Sequence, residues 1–176
     1  PDPATLFARR AERFARLAQG HPLGPYLSFL AHIARAQHVA AERAPAPEPA
    51  DAEAVERARA HEMPPLDRSH FTSDAAFEAI FDRLLSQARA IEKPEPAEAA
   101  LAHVLAASDA ERGEMIRNVL ADSIPVEALA EHLYVAAALQ VHFARRAAQL
   151  DAKALVPVGD GICPACGGPP VASVGG

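Results

Sequence analysis

Cysteine is almost missing from this 176-residue chain: only Cys163 and Cys166 occur. Two thiols in so long a chain exclude the disulfide-dense scaffolds of small secreted domains. Tryptophan is absent, aromatics make up 5% of the residues, and alanine carries much of the 50% hydrophobic fraction. Without Val/Ile/Thr-rich alternating runs, the chain lacks the usual signature of strands. Basic residues are in deficit, 17 Lys and Arg against 23 Asp and Glu, for a net charge of −6. No large basic surface advertises phosphate binding, so nucleic acid is not an expected partner. Long apolar runs are lacking too. The most apolar one, Leu133 to Leu139, sits among Glu127, Glu131, His132, Gln140, His142, Arg145 and Arg146, which argues against membrane insertion. The N-terminal segment carries Arg9, Arg10, Glu12, Arg13 and Arg16 where a secretory signal would be apolar. A cytoplasmic protein is expected, although the lack of an initiator Met leaves room for residues ahead of Pro1.

What is abundant is helix-forming: Ala, Leu, Glu and Arg. Proline and glycine divide the chain into about seven helices. Asp2 and Pro3 open the first, to Gln19, with Gly20 closing it and Leu6, Phe7, the Arg10 stem, Phe14 and Leu17 facing inward. The second runs from Pro25 to Glu42 with Tyr26, Phe29, Leu30, Ile33 and Gln37 on one stripe. Residues 44–50, with Pro45, Pro47 and Pro49, read as a mobile extended linker. A short helix follows from Asp51 to His61, and Met63 to Asp67 is non-helical. Ser73 or Asp74 caps a helix through Ile91 that buries Phe77, Ile80, Phe81, Leu84 and Leu85. Another spans Ala97 to Ala106. Ser108 and Glu111 form a capping box for a helix through Leu120. Pro125 then begins the longest helix, a central one to Leu150, with Val126, Leu129, Leu133, Ala136, Ala137, Gln140, Phe143 or Ala144, and Ala147 at helical spacing.

Chemistry is sparse in this helical part. His32 and His38 are six residues apart and His132 and His142 ten, so neither pair converges on one helix face. No Glu-x-x-His pair supports a carboxylate-bridged di-metal bundle. Phosphate-loop, dinucleotide and nucleophile-elbow motifs are all missing. His21-Pro22 reads as a local turn, and Arg117, Asn118 and Asp122 as a helix C-terminus, with function the weaker alternative at each. No catalytic residue is assigned, and an enzyme is not expected.

The sharpest motif is Cys163-Pro164-Ala165-Cys166-Gly167. A thioredoxin-like pair would start a helix, whereas Gly167, Gly168, Pro169 and Pro170 follow at once. A metal knuckle fits better, with Gly167 supplying φ > 0; plain reduced thiols and a redox pair are the other readings. Tetrahedral zinc or iron sites need four soft ligands, so Cys163 and Cys166 supply two, and the others are expected from sequence cut away or from a partner, including a homodimer.

Taken together, the run Glu111 to Glu127, the helix to Gln140–Ala144, the segment Val156 to Ser173, and the shorter Gly20-His21-Pro22-Leu23-Gly24 and Pro64-Pro65-Leu66-Asp67 resemble the formate dehydrogenase accessory protein FdhE family. The resemblance implies an all-α multi-helix bundle over residues 1–156, then the truncated start of a rubredoxin-like or zinc-ribbon-like knuckle over 157–176. It implies Cys163 and Cys166 as ligands to iron or zinc, and a maturation factor that binds the formate dehydrogenase catalytic subunit. The alternative is a helical adaptor with a zinc-ribbon interaction module for another client; a redox role for the cysteine modules ranks third.

Overall fold

A computed structural model describes residues 2–169, and all statements below concern them. Residues 170–176, the end of the expected knuckle, lie outside the described residues. The fold is all-α, with seven α-helices, three short 3₁₀ turns and no strand among the described residues.

Asp2 accepts a hydrogen bond from the Ala4 N–H and starts α1, Pro3–Leu17. The chain turns through Gly20 at φ +69° into α2, Gly24–Arg43. Only glycine fits at position 24, because a Cβ there would stand 2.8 Å from the Ala18 carbonyl oxygen. α1 and α2 thus form a tightly apposed hairpin. Leu17 and Tyr26, expected in the core, are 49% and 45% exposed. Both stand at the turn end of this hairpin, beyond the buried residues Phe7, Ala11 and Phe29.

α3, Ala52–Ala60, is capped by Asp51 and buries none of its residues. α4, Ala75–Ala88, is capped by Asp74, whose carboxylate accepts from the Phe77 N–H. Its five expected core residues are all buried. α5, Glu95–Ala106, starts two residues before the sequence reading placed it, since Pro96 is tolerated in a first turn whose N–H groups need no helical partner. α6, Asp109–Leu120, carries both halves of the Ser108–Glu111 capping box. α7, Leu129–Ala147, is entered through a 3₁₀ turn, Val126–Ala128.

α7 is the axis of the molecule, packed by α2, α4, α5 and α6. It buries Tyr134, Val135, Ala138, Leu139, Val141 and His142, while Val126 is 81% and Leu129 54% exposed. The expected stripe holds at Ala137, which is buried, and at Leu133, Ala136, Phe143 and Ala144, which pack partly buried against the core, but fails at Val126, Leu129 and Gln140. The 3₁₀ entry turns at three residues per turn, so a 3.6-residue period extrapolated back from the helix misassigns the first residues. Neighbours on several sides also bury positions that a single stripe omits.

Polar side chains lock the helices in place. The buried Gln37 amide donates to the Ala137 carbonyl at 2.9 Å and to Gln140 Oε1 at 3.1 Å, and Arg10 donates to that same oxygen at 2.7 Å. The Tyr134 hydroxyl donates to the Ala97 carbonyl at 2.7 Å; burial, with Glu98 nearby, pushes its pKa up to about 12. The 44–50 segment, expected to be a mobile linker, is instead fastened to the end of α7. Arg145 donates to the carbonyls of Pro45 at 2.7 Å and Ala44 at 3.0 Å, and Gln149 to Pro47 at 3.1 Å.

Candidate functional site

The two cysteines lie in a tight reversal laid against the segment between α3 and α4. The Gly167 N–H donates to the Cys163 carbonyl at 2.8 Å, and the Cys163 N–H donates to the Gly168 carbonyl at 2.9 Å. Gly167 has φ +72°, the left-handed conformation expected from the sequence and one that a side chain would strain. Both thiols are free and half-buried. Burial raises the Cys166 pKa most, and the neighbouring Cys163 adds to the rise; the Gly168 backbone hydrogen bond and the Arg68 charge oppose it.

This reversal is docked onto the body. The Leu66 N–H donates to the Ala165 carbonyl at 2.8 Å, and both residues are buried. A Cβ at Gly167 would come within 3.1 Å of the Pro64 ring, and one at Gly168 within 2.5 Å of the Arg68 guanidinium. Arg68 itself reaches to the C-terminal end of α6, donating to the Val119 carbonyl at 3.0 Å and standing 3.7 Å from Asp122. Asp122 holds φ +52°, just past the helix end. One guanidinium thus ties the knuckle to a helix terminus. Pro64 to Asp67 stood out in the sequence only through resemblance, and Arg68 not at all. Contacts between residues 64–68 and 165–168 leave no local trace, although Gly167-Gly168 does signal a close approach by another part of the chain.

Two sulfurs suit half of a soft tetrahedral set. Among the described residues, no group of three or more His, Cys, Asp or Glu side chains is arranged to hold a metal ion. The donors present here therefore do not by themselves complete the four-ligand site that the sequence reading envisages.

Several of the polar residues weighed in the sequence have structural partners. His21 Nδ1 accepts from the Leu23 N–H at 3.0 Å, a local turn contact. Buried His132 bonds the Ala128 carbonyl through Nδ1 at 2.7 Å and pairs with the Asn118 side-chain amide through Nε2 at 3.2 Å. Asn118 and Asp122 thus serve different neighbours, His132 and Arg68. His142 differs. It is 2% exposed, packed edge-on against Phe71 at 5.3 Å, Phe77 at 5.7 Å and Phe143 at 5.6 Å, and its Nδ1 has no hydrogen-bond partner. Burial drives its pKa down to about 4, with Asp74 opposing the fall and Arg146 and Arg145 reinforcing it. The ring borders a cavity of about 290 Å³ between α7, residues 65–74 and the 44–50 segment. Spacing alone could not reveal this histidine, because its neighbours come from distant sequence.

Comparison with known proteins accounts for nearly the whole chain. Residues 1–160 match the family described as "FdhE, N-terminal". A protein FdhE homolog of Rhizobium meliloti (strain 1021) is 51% identical over 174 residues, which cover 99% of this chain and 57% of that protein. A protein FdhE homolog of Pseudomonas aeruginosa is 34% identical over 96% of this chain and 55% of its own length. The crystal structure of the FdhE protein from Pseudomonas aeruginosa superposes with a TM-score of 0.81 at 32% identity, covering 98% of this chain and 60% of that one. The chain spans just over half the length of these relatives.

Proposed function

The chain belongs to the FdhE family, and from that premise we propose that it acts as a non-enzymatic accessory factor, binding the catalytic subunit of formate dehydrogenase and assisting its assembly in the cytoplasm. The observation that carries this reading is the docked knuckle. A helical body with a well-filled core presents Cys163 and Cys166 on a surface fixed by Leu66 and Arg68, an arrangement suited to holding a partner more than to turning over a substrate. The polar clusters of the helices are occupied by structural hydrogen bonds, which favours a scaffold.

In this reading Cys163 and Cys166 provide two of the thiolates for an iron or zinc ion, and the remaining ligands come from outside the described residues or from a second copy of the chain. Bound metal would supply a cross-link that fixes the shape of the cysteine module. Residues 157–176 form the start of that module and 1–156 the platform.

Affinity capture from a strain making formate dehydrogenase tests the proposal. The tagged chain is expected to retain the catalytic subunit, identified by mass spectrometry. Reproducible retention of a different client with no formate dehydrogenase subunit would overturn it in favour of an adaptor for another partner.

A further inference from the structure

The cavity beside α7 is not used by the knuckle, and its lining is chemically selective. Phe71 and Phe143, 5.9 Å apart between ring centroids, border it together with His142. Three carboxylates stand around it: Glu48, Asp67 and Asp74. One oxygen of Asp74 caps α4 through the Phe77 N–H, and Asp67 pairs with His70 at 2.8 Å. Glu48 is exposed and enters no ion pair among the described residues. Arg146 is the one arginine or lysine lining the space, so three acids face a single permanent cation. Its Nε, like Nδ1 of His142, is buried without a partner.

Aromatic faces with a carboxylate rim are the elements that hold an organic cation: the ring quadrupole attracts it and the acids pair with it. A planar guanidinium suits both, stacking on a ring while presenting paired N–H donors to an acid. We propose that this cavity is a docking site for an arginine side chain on an extended segment of a partner polypeptide. His142 offers the arginine no permanent positive charge and contributes an aromatic ring to the wall. The partner's backbone would then run beside Pro65 and Leu66, the stretch that pairs with Ala165 of the knuckle. The proposal rests on the accessory-factor reading in taking that partner to be the client enzyme.

The test is NMR titration of the 176-residue chain with acetyl-Ala-Arg-Ala-amide and, as a control, acetyl-Ala-Glu-Ala-amide. The arginine peptide is expected to give saturable shifts of the Thr72 and Asp74 amides and of the His142 ring, and the glutamate peptide none. The double variant Glu48→Gln/Asp74→Asn should weaken arginine-peptide binding roughly fivefold, the loss expected for two partly exposed ion pairs. Asn retains the capping role of Asp74, so an unchanged thermal melt confirms that the fold is intact. Equal shifts from both peptides, no saturable shift, or undiminished binding by the double variant would overturn the proposal. Retention of the formate dehydrogenase subunit alongside any of those results would show that the cavity assignment alone has failed; loss of the subunit with arginine binding intact would instead strike at the client reading.

Discussion

The helical body and the cysteine knuckle are stabilised by different amounts of the same physics. The body buries Phe7, Phe29, Phe77, Ile80, Phe81 and Leu84 almost completely, and each such side chain contributes roughly 1.5–3 kcal/mol. The described part of the knuckle buries Ala165 as its one apolar side chain, with Gly168 beside it, and rests on a few backbone hydrogen bonds and the Arg68 contact, each bond contributing about 1 kcal/mol net. The knuckle belongs to the low-stability end of the molecule, where local opening costs least. One region is thus held by a filled core and the other by a few directional bonds.

The largest effect is expected from attacking the body. Phe77→Ala removes a fully buried ring that stacks on Phe81 at 5.8 Å and meets His142, and should cost about 3–5 kcal/mol in urea-induced unfolding. A change under 1 kcal/mol would show that the body is no better packed than the knuckle.

An acid titration ranks next and again acts on the body. His142 has a folded pKa of about 4, whereas an unfolded histidine titrates near pH 6.5. Its contribution is fully present above about pH 6.5 and is lost as the pH falls towards 4, because only the unfolded chain takes up a proton in that window. The loss should approach about 3 kcal/mol, and His142→Phe should flatten that part of the stability–pH curve. His103, raised by its 2.8 Å pairing with Glu131, works in the opposite direction: its contribution is present below about pH 6.5 and fades as the pH rises through its raised pKa. An equal slope in His142→Phe and the parent chain would remove the assignment.

The smallest effect is predicted at the knuckle. Cys163→Ser/Cys166→Ser in metal-free buffer should leave the melt of the body within about 0.5 kcal/mol, the range of surface substitutions, while amide exchange quickens at Cys163 and Gly167. If the double variant loses the cooperative melt, the two regions form one cooperative unit and the contrast collapses.

The sequence disclosed those features whose causes are local. The Ser108–Glu111 box, the Asp2 and Asp74 caps and the α4 stripe depend on residues within a turn or two, and all appear in the fold. The left-handed Gly167 was legible for the same reason. What was missed depends on distant segments. The face of α7 reflects four neighbouring helices and a 3₁₀ entry, the 44–50 segment is held by side chains a hundred residues away, and Arg68 meets Gly168 by tertiary packing. Cys163 and Cys166 were evident as a motif, but their support by Leu66 and Arg68 was not.

The fastening of residues 44–47 by Arg145 and Gln149 has a consequence for how precisely this molecule can place a charge. Prolines 45, 47 and 49 have no N–H to offer, so this stretch presents its carbonyls to Arg145 on α7 and to Gln149 just past its end. Glu48 follows the last fastened carbonyl, while His142 and Arg146 stand on the same helix that does the fastening. A single rigid ruler therefore sets both edges of the gap. Lengthening the 44–50 segment by one residue would shift the acid without moving the aromatic wall, a mechanical tolerance of about one residue's reach, 3.3–3.6 Å.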